Sequence, residues 1–363
     1  MAHLLPPLVR AKKFCDAFGL RLPILMAPMA GACPPSLAIA VANAGGLGGC
    51  GALLMKPEAI RAWVADVRAQ TNGSFQINLW IPDPAPPRDG AHEARLREFL
   101  GQWGPAVTPD AGNVPPIDFM KQCEAMLDAG PAVVSSIMGI YPPGIVARMK
   151  EKGIRWLANV TTVAEAREAV AAGADVIVAQ GMEAGGHRGS FDAERPDNAL
   201  IGLFALLPAV ADAVGDRVPV VATGGIADAR GIAAALLLGA SAVQIGTGLL
   251  RTPEAKLAPA WADAIGKAQP EDTLPTRAFS GRLGRSIATA YVKAANAPEA
   301  PRPAPYPVQR ALTQAMRDEA MKAGDIDRMQ AWAGQAARLA TTEPAVDLVL
   351  RLWNEAQSLL TTG

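Results

Sequence analysis

VPVVATGGIADARGIAAALLLGASAVQIGTGLL, residues 218–250, is the stretch of this sequence that decides the fold. It contains two short apolar runs, 218–222 and 241–245, on either side of a segment, 226–238, that is rich in alanine and leucine. Short apolar strands that alternate with helices are typical of parallel βα units. The stretch therefore predicts a strand, a helix and a second strand of a parallel sheet.

A glycine-containing turn follows each of these two strands. Gly224 and Gly225 follow the first strand, and Gly246 with Thr247 follows the second. Backbone N–H groups in such turns, helped by the N-terminus of a following helix, can face an anion. In a (β/α)8 barrel the phosphate site commonly lies after strands seven and eight. The turns therefore predict a phosphate site if these strands are the last two of a barrel.

A count along the chain gives them that position. Six earlier strands are predicted, separated by helical segments, at residues 23–27, 46–51, 75–80, 132–137, 154–160 and 175–180. We therefore predict an α/β fold, a (β/α)8 TIM barrel over residues 1–252, with a proline-rich insertion, 81–116, after strand three. An insertion at this point is typical of a lid or an edge feature. Residues 253–363 are predicted to form a mainly helical C-terminal extension that packs on the barrel.

The weakest of these strands, residues 46–51, has the sequence GLGGCG and formally fits the dinucleotide-binding pattern G-x-G-x-x-G. That pattern requires a strand before it and a helix that opens within it. Here a helix precedes the pattern, and the next helix begins only near Pro57. We therefore interpret the segment as a glycine-rich strand, in which small residues allow close packing.

The composition indicates a globular protein without a strongly charged partner. The 363 residues are 50% hydrophobic, and 34 Lys and Arg balance 34 Asp and Glu. A net charge of zero favours neither nucleic acid nor an acidic membrane as a partner. No apolar run reaches ~18 residues, no secretory signal is recognisable, and the four cysteines are widely spaced. We therefore expect a cytoplasmic protein with reduced thiols, no membrane span and no zinc site.

The histidine best placed for chemistry is His187, which lies in the loop GMEAGGHRG, 181–189, after predicted strand six. The other two histidines, His3 and His92, lie in the N-terminal lead-in and in the insertion. Glycines on both sides of His187 let the backbone approach a flat ligand, and an imidazole can take a proton near neutral pH. We predict His187 as the catalytic residue, the alternative being a surface histidine without a role.

Other catalytic signatures are lacking around this histidine. The sequence has no cluster of metal-ligating residues near His187, and no serine or cysteine in a G-x-S-x-G setting. A phosphate site with one base and no metal is typical of an enzyme whose bound cofactor carries the chemistry. From the residues alone, FMN and a sugar phosphate fit such a barrel equally well.

Several motifs together resemble those of the FMN-dependent nitronate monooxygenases, once called 2-nitropropane dioxygenases. The most specific is the loop Gln180-Gly181-x-Glu183-Ala184-Gly185-Gly186-His187-x-Gly189. The others are APMAG at 27–31, AGGLG at 44–48, QINL at 76–79, ATGGI at 222–226 and QIGT at 244–247. The resemblance covers most of the chain.

The resemblance implies that FMN is the cofactor and that no metal is needed. It places the FMN phosphate on Gly224, Gly225, Gly246 and Thr247. It places the flavin ring beside Asn78 and the segment Ala27-Pro28-Met29. The further residues expected along the cofactor are Gln180, Ala184, Gly185, Gly186 and Thr223.

The resemblance also implies a reaction. His187 is expected to abstract the α-proton of a neutral nitroalkane, or to hold an anionic nitronate such as propionate 3-nitronate beside the flavin. The partners are then this small molecule and O2, the products are a carbonyl compound and nitrite, and NADH is not used. A homodimer is compatible with the resemblance. Where this chain has Asn159, some relatives place a lysine near the flavin, so charge stabilisation of reduced flavin is expected to come from elsewhere.

Two alternatives share part of this pattern. An NAD(P)H-dependent FMN reductase of quinones or enoyl thioesters would share the phosphate turns and the loop histidine. A non-enzymatic barrel that binds a phosphorylated ligand would share the turns alone. The loop E-A-G-G-H-R-G and a C-terminal W-A-G-Q segment, residues 332–335, favour the monooxygenase.

Overall fold

The structure is a computed structural model that describes residues 6–113, 115, 117–193 and 200–361. The barrel strands are β1 Ile24–Met26, β2 Gly48–Gly51, β3 Phe75–Trp80, β4 Val133–Ile137, β5 Arg155–Val160, β6 Val176–Gln180, β8 Val220–Thr223 and β9 Ala242–Ile245. Three short strands lie outside the barrel, namely β7 Gly186–His187, β10 Thr273–Thr276 and β11 Gly284–Ile287. Most barrel strands are completely buried, as short apolar runs between helices require.

The barrel strands are parallel and hydrogen-bond in the order β1-β9-β8-β6-β5-β4-β3-β2. The two ends of this order meet through a parallel bridge between Leu25 and Leu47, where the Met26 N–H donates to the Leu47 carbonyl at 2.8 Å. The eight strands therefore close, and the predicted (β/α)8 TIM barrel is confirmed. β8 and β9 are its seventh and eighth strands, as the sequence predicts.

The described residues contain fourteen α-helices. They are α1 Pro7–Phe18, α2 Pro35–Ala44, α3 Pro57–Gln70, α4 Gly90–Leu100, α5 Phe119–Ala129, α6 Pro143–Glu151, α7 Val163–Ala171, α8 Leu203–Val214, α9 Ala229–Leu237, α10 Pro259–Lys267, α11 Ala290–Ala295, α12 Val308–Leu312, α13 Gln314–Ala323 and α14 Ala345–Thr361. Five of them begin with proline, whose missing N–H has no partner in a first helical turn anyway. No helix within these ranges is both long enough and apolar enough to cross a bilayer.

The second strand consists largely of glycine because its neighbours are too close for side chains. A Cβ on Gly48 would lie 2.7 Å from the Ala38 carbonyl oxygen of α2, and a Cβ on Gly49 would lie 2.7 Å from the Met26 carbonyl oxygen of β1. A larger residue at either position would force the backbone apart. The segment is therefore a packing strand of the barrel, as we interpret it, and not a dinucleotide-binding loop.

Helix α1 closes the amino-terminal end of the barrel. Phe14 and Phe18 pack against inward-facing side chains near the starts of the strands, such as Leu25, Leu157 and Val221. The opposite end, where the strands finish, carries the loops and the segment after residue 252. Chemistry in this fold is found at that second end.

The insertion after β3 contains helix α4. Leu96 and Leu100 of α4 pack with Phe279, Tyr291 and Met316 of the C-terminal segment. None of its described residues lines the cavity at the carboxyl ends of the barrel strands. The described part of the insertion therefore packs on the C-terminal segment, and its role as a lid or an edge feature stays a prediction.

The segment after residue 252 supplies helices α10–α14 and also two strands that the sequence analysis does not predict. β11 pairs antiparallel with β10 and with β7, so that Gly284 lies opposite His187 and Arg285 lies opposite Gly186. α14 returns to the outside of the barrel and packs on α2 and α9. A C-terminal strand therefore holds the loop that follows β6.

Candidate active site

A cavity of about 390 Å³ opens at the carboxyl ends of the barrel strands. This volume is within the ~300–1,000 Å³ that is usual for small-molecule sites. His187 lines the cavity, as do all the residues predicted to contact the cofactor, namely Ala27, Pro28, Met29, Asn78, Gln180, Ala184, Gly185, Gly186, Thr223, Gly224, Gly225, Gly246 and Thr247. The structure brings together in one space residues that are spread over more than two hundred positions of the chain.

The turns after β8 and β9 present backbone donors to this cavity. Gly224 and Gly225 have φ of +107° and +69°, values that strain any residue with a side chain. Within the described chain, the N–H groups of Gly224, Gly225 and Gly246 have no hydrogen-bond acceptor. Helix α9 is capped by its own residue, since Asp228 accepts from the Gly231 N–H at 3.0 Å. The free backbone donors therefore belong to the turns themselves, more than to the helix end, as a binding site for an anion would require.

Gln180 at the end of β6 braces the loop that carries His187. Its side-chain Nε2 donates to the His187 carbonyl at 3.1 Å, and its Oε1 accepts from the Gly189 N–H at 2.8 Å. Both ends of the buried amide are thus bonded to the loop on either side of the imidazole. These bonds fix the position of the His187 backbone relative to the barrel.

The other charged residues of the E-A-G-G-H-R-G loop have partners within the fold. Both carboxylate oxygens of Glu183 accept from the Leu203 N–H, at 2.9 and 3.0 Å, where α8 begins. Arg188 donates to the carbonyls of Gln180 and Thr161, at 2.5 and 3.3 Å. Burial lowers the pKa of the Arg188 guanidinium to about 10, although nearby carboxylates oppose the shift. These two residues shape the loop. Glu183 also lines the cavity, but its carboxylate is bonded to the start of α8, whereas the His187 side chain carries no such bond to a helix end.

The His187 imidazole lies between two tryptophans and a serine. Its ring centroid is 4.9 Å from that of Trp80 and 5.0 Å from that of Trp332. Its Nε2 is 2.8 Å from the Ser280 hydroxyl oxygen. Three separate parts of the chain, β3 and two C-terminal segments, therefore hold the ring in place.

The same surroundings keep the imidazole neutral. Burial, together with the positive charges of Arg282 and Arg310, lowers the pKa of His187 to about 3. The imidazole therefore has a free lone pair throughout the neutral pH range, as a proton acceptor requires.

The W-A-G-Q segment contacts both the loop after β6 and the turn after β9. The Gly334 N–H donates to Thr247 Oγ1 at 3.0 Å, and the Gln335 N–H donates to the Glu183 carbonyl at 2.9 Å. A Cβ on Gly334 would lie only 2.6 Å from that carbonyl oxygen. The segment therefore ties the loop after β6 to the turn after β9, which gives a physical reason for its appearance alongside the other motifs.

The sequence analysis missed most of the C-terminal side chains that line the cavity. These include Arg310, Arg317, Asp318, Met321, Gln330 and Trp332. Arg317 donates to neutral acceptors, with Gln330 Oε1 at 2.8 Å and Gln314 Oε1 at 2.7 Å. Within the described ranges, the Arg310 guanidinium has no hydrogen-bond or ion-pair partner. Only the W-A-G-Q motif signalled that this part of the chain reaches the site.

Two buried side-chain N–H groups on the cavity, those of Asn159 and Trp80, have no hydrogen-bond partner among the described residues. Asn159 at the end of β5 is 7% exposed, and its Nδ2 forms no hydrogen bond with any described residue. Its neighbour on the cavity wall, Asn78, donates to Ser135 Oγ at 3.0 Å. An unpaired buried N–H group is unfavourable, so the Asn159 amide is placed to donate to a bound molecule.

The remaining histidines lie away from this cavity. His92 is half-buried, and its Nε2 is 2.7 Å from the Arg302 carbonyl oxygen; His3 lies outside the described residues. In the part of the chain that the structure describes, no group of three or more His, Cys, Asp or Glu side chains could hold a metal ion.

Comparison with known proteins agrees with this geometry. The family model described as nitronate monooxygenase matches residues 12–355. The nitronate monooxygenase of Paraburkholderia phytofirmans is 40% identical over 344 residues, which cover 93% of both chains. That of Pseudomonas aeruginosa is 39% identical over 349 residues, covering 94% of this chain and 98% of the relative.

A solved structure is also similar. The structure of nitroalkane oxidase from Streptomyces ansochromogenes superimposes with a TM-score of 0.86 at 36% identity, covering 95% of this chain and all of the other. These matches do not favour the alternative FMN reductase. The chain belongs to the nitronate monooxygenase family and is a flavin-dependent oxidoreductase built on a TIM barrel.

Proposed function

We propose that this chain binds FMN and oxidises alkyl nitronates, for example propionate 3-nitronate, with O2 to a carbonyl compound and nitrite. One observation carries the proposal: a neutral imidazole and a cradle of unpaired backbone N–H groups line the same cavity. The first is suited to a proton acceptor and the second to a phosphate.

The residues present fit FMN. Gly224, Gly225 and Gly246 offer backbone donors to its phosphate, and the Asn159 amide offers a donor to an acceptor atom of its ring. The segment Ala27-Pro28-Met29 supplies an apolar wall at the end of β1. When bound, FMN supplies the electron-accepting chemistry and the reaction with O2.

The contribution of His187 is to move or stabilise a proton. With a neutral nitroalkane, the neutral imidazole accepts the α-proton and the bonding electrons remain on the substrate as the nitronate. With a preformed nitronate no proton needs to be removed, and His187 then positions the anion. The low pKa of the ring in the free protein keeps it neutral, as the role of base requires; a neutral ring can position an anion only through a hydrogen bond and not through charge.

One cation on the cavity, Arg310, favours an anionic substrate. Arg310 has no acidic partner in the described ranges, and its charge acts to lower the pKa of both His187 and Tyr306. Two carboxylates of the described chain also line the cavity, but Glu183 accepts from the Leu203 N–H. The other, Asp318, accepts from Gln314 Nε2 and lies beside Arg317. A nitronate that carries a carboxylate can pair with Arg310 through its carboxylate oxygens. We therefore propose acidic nitronates over simple alkyl nitronates.

A purified, FMN-loaded sample tests the proposal. Addition of propionate 3-nitronate in air is expected to consume O2 and release nitrite without NAD(P)H. Absence of both, with NADPH-dependent reduction of a quinone in the same sample, would contradict the proposal. Sedimentation velocity on this sample tests whether the assembly is the homodimer that the resemblance allows.

A further inference from the structure

Ser280 is a buried hydroxyl that contacts the candidate base from a distant part of the chain. It is 1% exposed and lies in the turn between β10 and β11. Its neighbour Gly281 has a φ of +87°, and a Cβ there would lie 2.2 Å from the Ala304 carbonyl oxygen. The turn therefore has little freedom to move, and Ser280 is held in a fixed position beside the ring.

The single proton of this hydroxyl has two acceptors within reach. The Ser280 Oγ lies 2.8 Å from His187 Nε2 and 3.2 Å from the Arg282 carbonyl oxygen. If the hydroxyl donates to His187, the buried Arg282 carbonyl has no donor among the described residues, which is unfavourable. If it donates to Arg282, His187 must carry its proton on Nε2, and both hydrogen bonds form. The second arrangement gives the Nε2–H group, the hydroxyl and the Arg282 carbonyl each a hydrogen-bond partner.

The other ring nitrogen is then free. Nδ1 of His187 has no hydrogen-bond partner in the described ranges, and the residue lines the cavity. Trp80 and Trp332 contact the ring without offering it a hydrogen bond. An unprotonated Nδ1 with access to the cavity is the atom able to take a proton from a bound molecule.

We propose that Ser280 is a positioning residue that fixes the His187 proton on Nε2 and so makes Nδ1 the basic atom of the site. This inference rests on the proposed function, because it concerns the atom through which His187 acts. In the step itself, the α-C–H bond of a neutral nitroalkane breaks, its electron pair stays on the substrate, and the proton forms a bond with Nδ1.

Ser280 also stabilises the product of that step. Once both nitrogens carry protons, the Nε2–H group still donates to Ser280, and the bond is now charge-assisted and stronger. The charged groups that act on the ring are Arg282 and Arg310, and both oppose the imidazolium. Removal of the Ser280 oxygen therefore lowers the pKa of the base further.

The tautomer can be measured without any turnover. In FMN-loaded protein labelled with 15N-histidine, the His187 signals are those that disappear in His187→Asn. At pH 7 we expect a protonated Nε2 and an unprotonated Nδ1 in the natural sequence, and loss of this preference in Ser280→Ala. A protonated Nδ1 in the natural sequence would overturn the inference. Because the measurement needs no nitronate activity, a negative result for the tautomer can be distinguished from a failure of the proposed function.

Kinetics provide the second measurement. In Ser280→Ala we expect kcat/KM for a neutral nitroalkane to fall roughly ten- to a hundredfold, the size of a hydrogen bond to a charged group. Activity on a preformed nitronate is expected to change less than about threefold, because no proton is removed. The apparent pKa of the base in the pH–rate profile is expected to move down. Ser280→Thr keeps the hydroxyl oxygen, so we expect it to restore kcat/KM for the neutral nitroalkane and the apparent pKa of the base.

Ser286→Ala is the matched control. Ser286 is also completely buried, and its hydroxyl donates to the Ala331 carbonyl at 2.9 Å instead of bonding to His187. We expect its pH–rate profile to match that of the natural sequence. An unchanged tautomer and an unchanged pH–rate profile in Ser280→Ala would show that Ser280 has only a structural role.

Discussion

Substitution of Gly334 by alanine should disturb the candidate active site from the far C-terminal part of the chain. The new Cβ would lie 2.6 Å from the Glu183 carbonyl oxygen and 2.8 Å from the Gly185 backbone nitrogen. Both atoms belong to the backbone of the loop that carries His187, so neither can rotate away. Relief requires that the loop or the W-A-G-Q segment shift, and this breaks the hydrogen bond from Gly334 to Thr247.

The expected size of the effect follows from these contacts. Overpacking of this kind costs about 1–3 kcal/mol. If the loop moves, the cost is expressed in FMN binding, and the dissociation constant rises by about 5- to 100-fold, since each tenfold change corresponds to about 1.4 kcal/mol. If the loop stays in place and the strain lowers the stability of the fold instead, the thermal midpoint of the FMN-free protein falls by a few degrees. Titration of FMN fluorescence measures the dissociation constant, and thermal unfolding of the same samples measures the midpoint.

Gly144→Ala is the control, because Gly144 lies in the first turn of α6 with no atom within 4 Å of the new Cβ. We expect its unfolding free energy to stay within about 0.5 kcal/mol of the original. A Gly334→Ala protein with unchanged FMN affinity and an unchanged midpoint would refute the reasoning, since it would mean that the close approach is not a constraint.

Three further outcomes are expected. His187→Asn should retain FMN but lose about 100- to 10,000-fold in turnover of neutral nitroalkanes, and less with nitronates; equal turnover on neutral nitroalkanes would remove His187 from the mechanism. Arg310→Met should raise the KM for propionate 3-nitronate about tenfold, the order of one charge-assisted hydrogen bond, with little effect on a nitronate that lacks a carboxylate. The exposed Arg302→Met is its control, and equal effects on both substrates would exclude a carboxylate contact. Burial holds the pKa of His187 at about 3, below the ~6.5 of an unfolded chain, so the unfolded state binds more protons between these values. The unfolding free energy should therefore fall as the pH falls from about 6.5 towards 3. Denaturant titrations at pH 7 and pH 5 should show a smaller loss of unfolding free energy in His187→Asn than in the natural sequence. An equal loss in both proteins would contradict the low pKa of His187 in the folded state.

The barrel and the glycine-containing turns after its last two strands were predictable because their signals are local. Each strand is a short apolar run next to a helix, and the turn at Gly224 and Gly225 needs positive φ at both positions, which only glycine adopts freely. Even the glycine-rich β2 could be interpreted from its own sequence, because a helix directly precedes it, whereas a dinucleotide site would need a strand there.

The surroundings of His187 were not predictable in the same way. β7 has only two residues and forms because β11, about a hundred positions later, pairs with it. A strand this short has no periodicity of its own, and its pairing is a tertiary contact. Ser280 likewise reaches His187, and Arg310 reaches the cavity, through the folding of a segment whose sequence indicates helices and turns. Their residue types alone do not distinguish them from surface residues.

Anaerobic mixing of the FMN-loaded protein tests most directly whether the cavity around His187 is a nitronate-oxidising site. Without O2, propionate 3-nitronate is expected to change the flavin absorbance rapidly, whereas micromolar NADPH is expected to leave the oxidised spectrum in place. Rapid bleaching of the flavin by NADPH, with no change on addition of the nitronate, would contradict the proposed function.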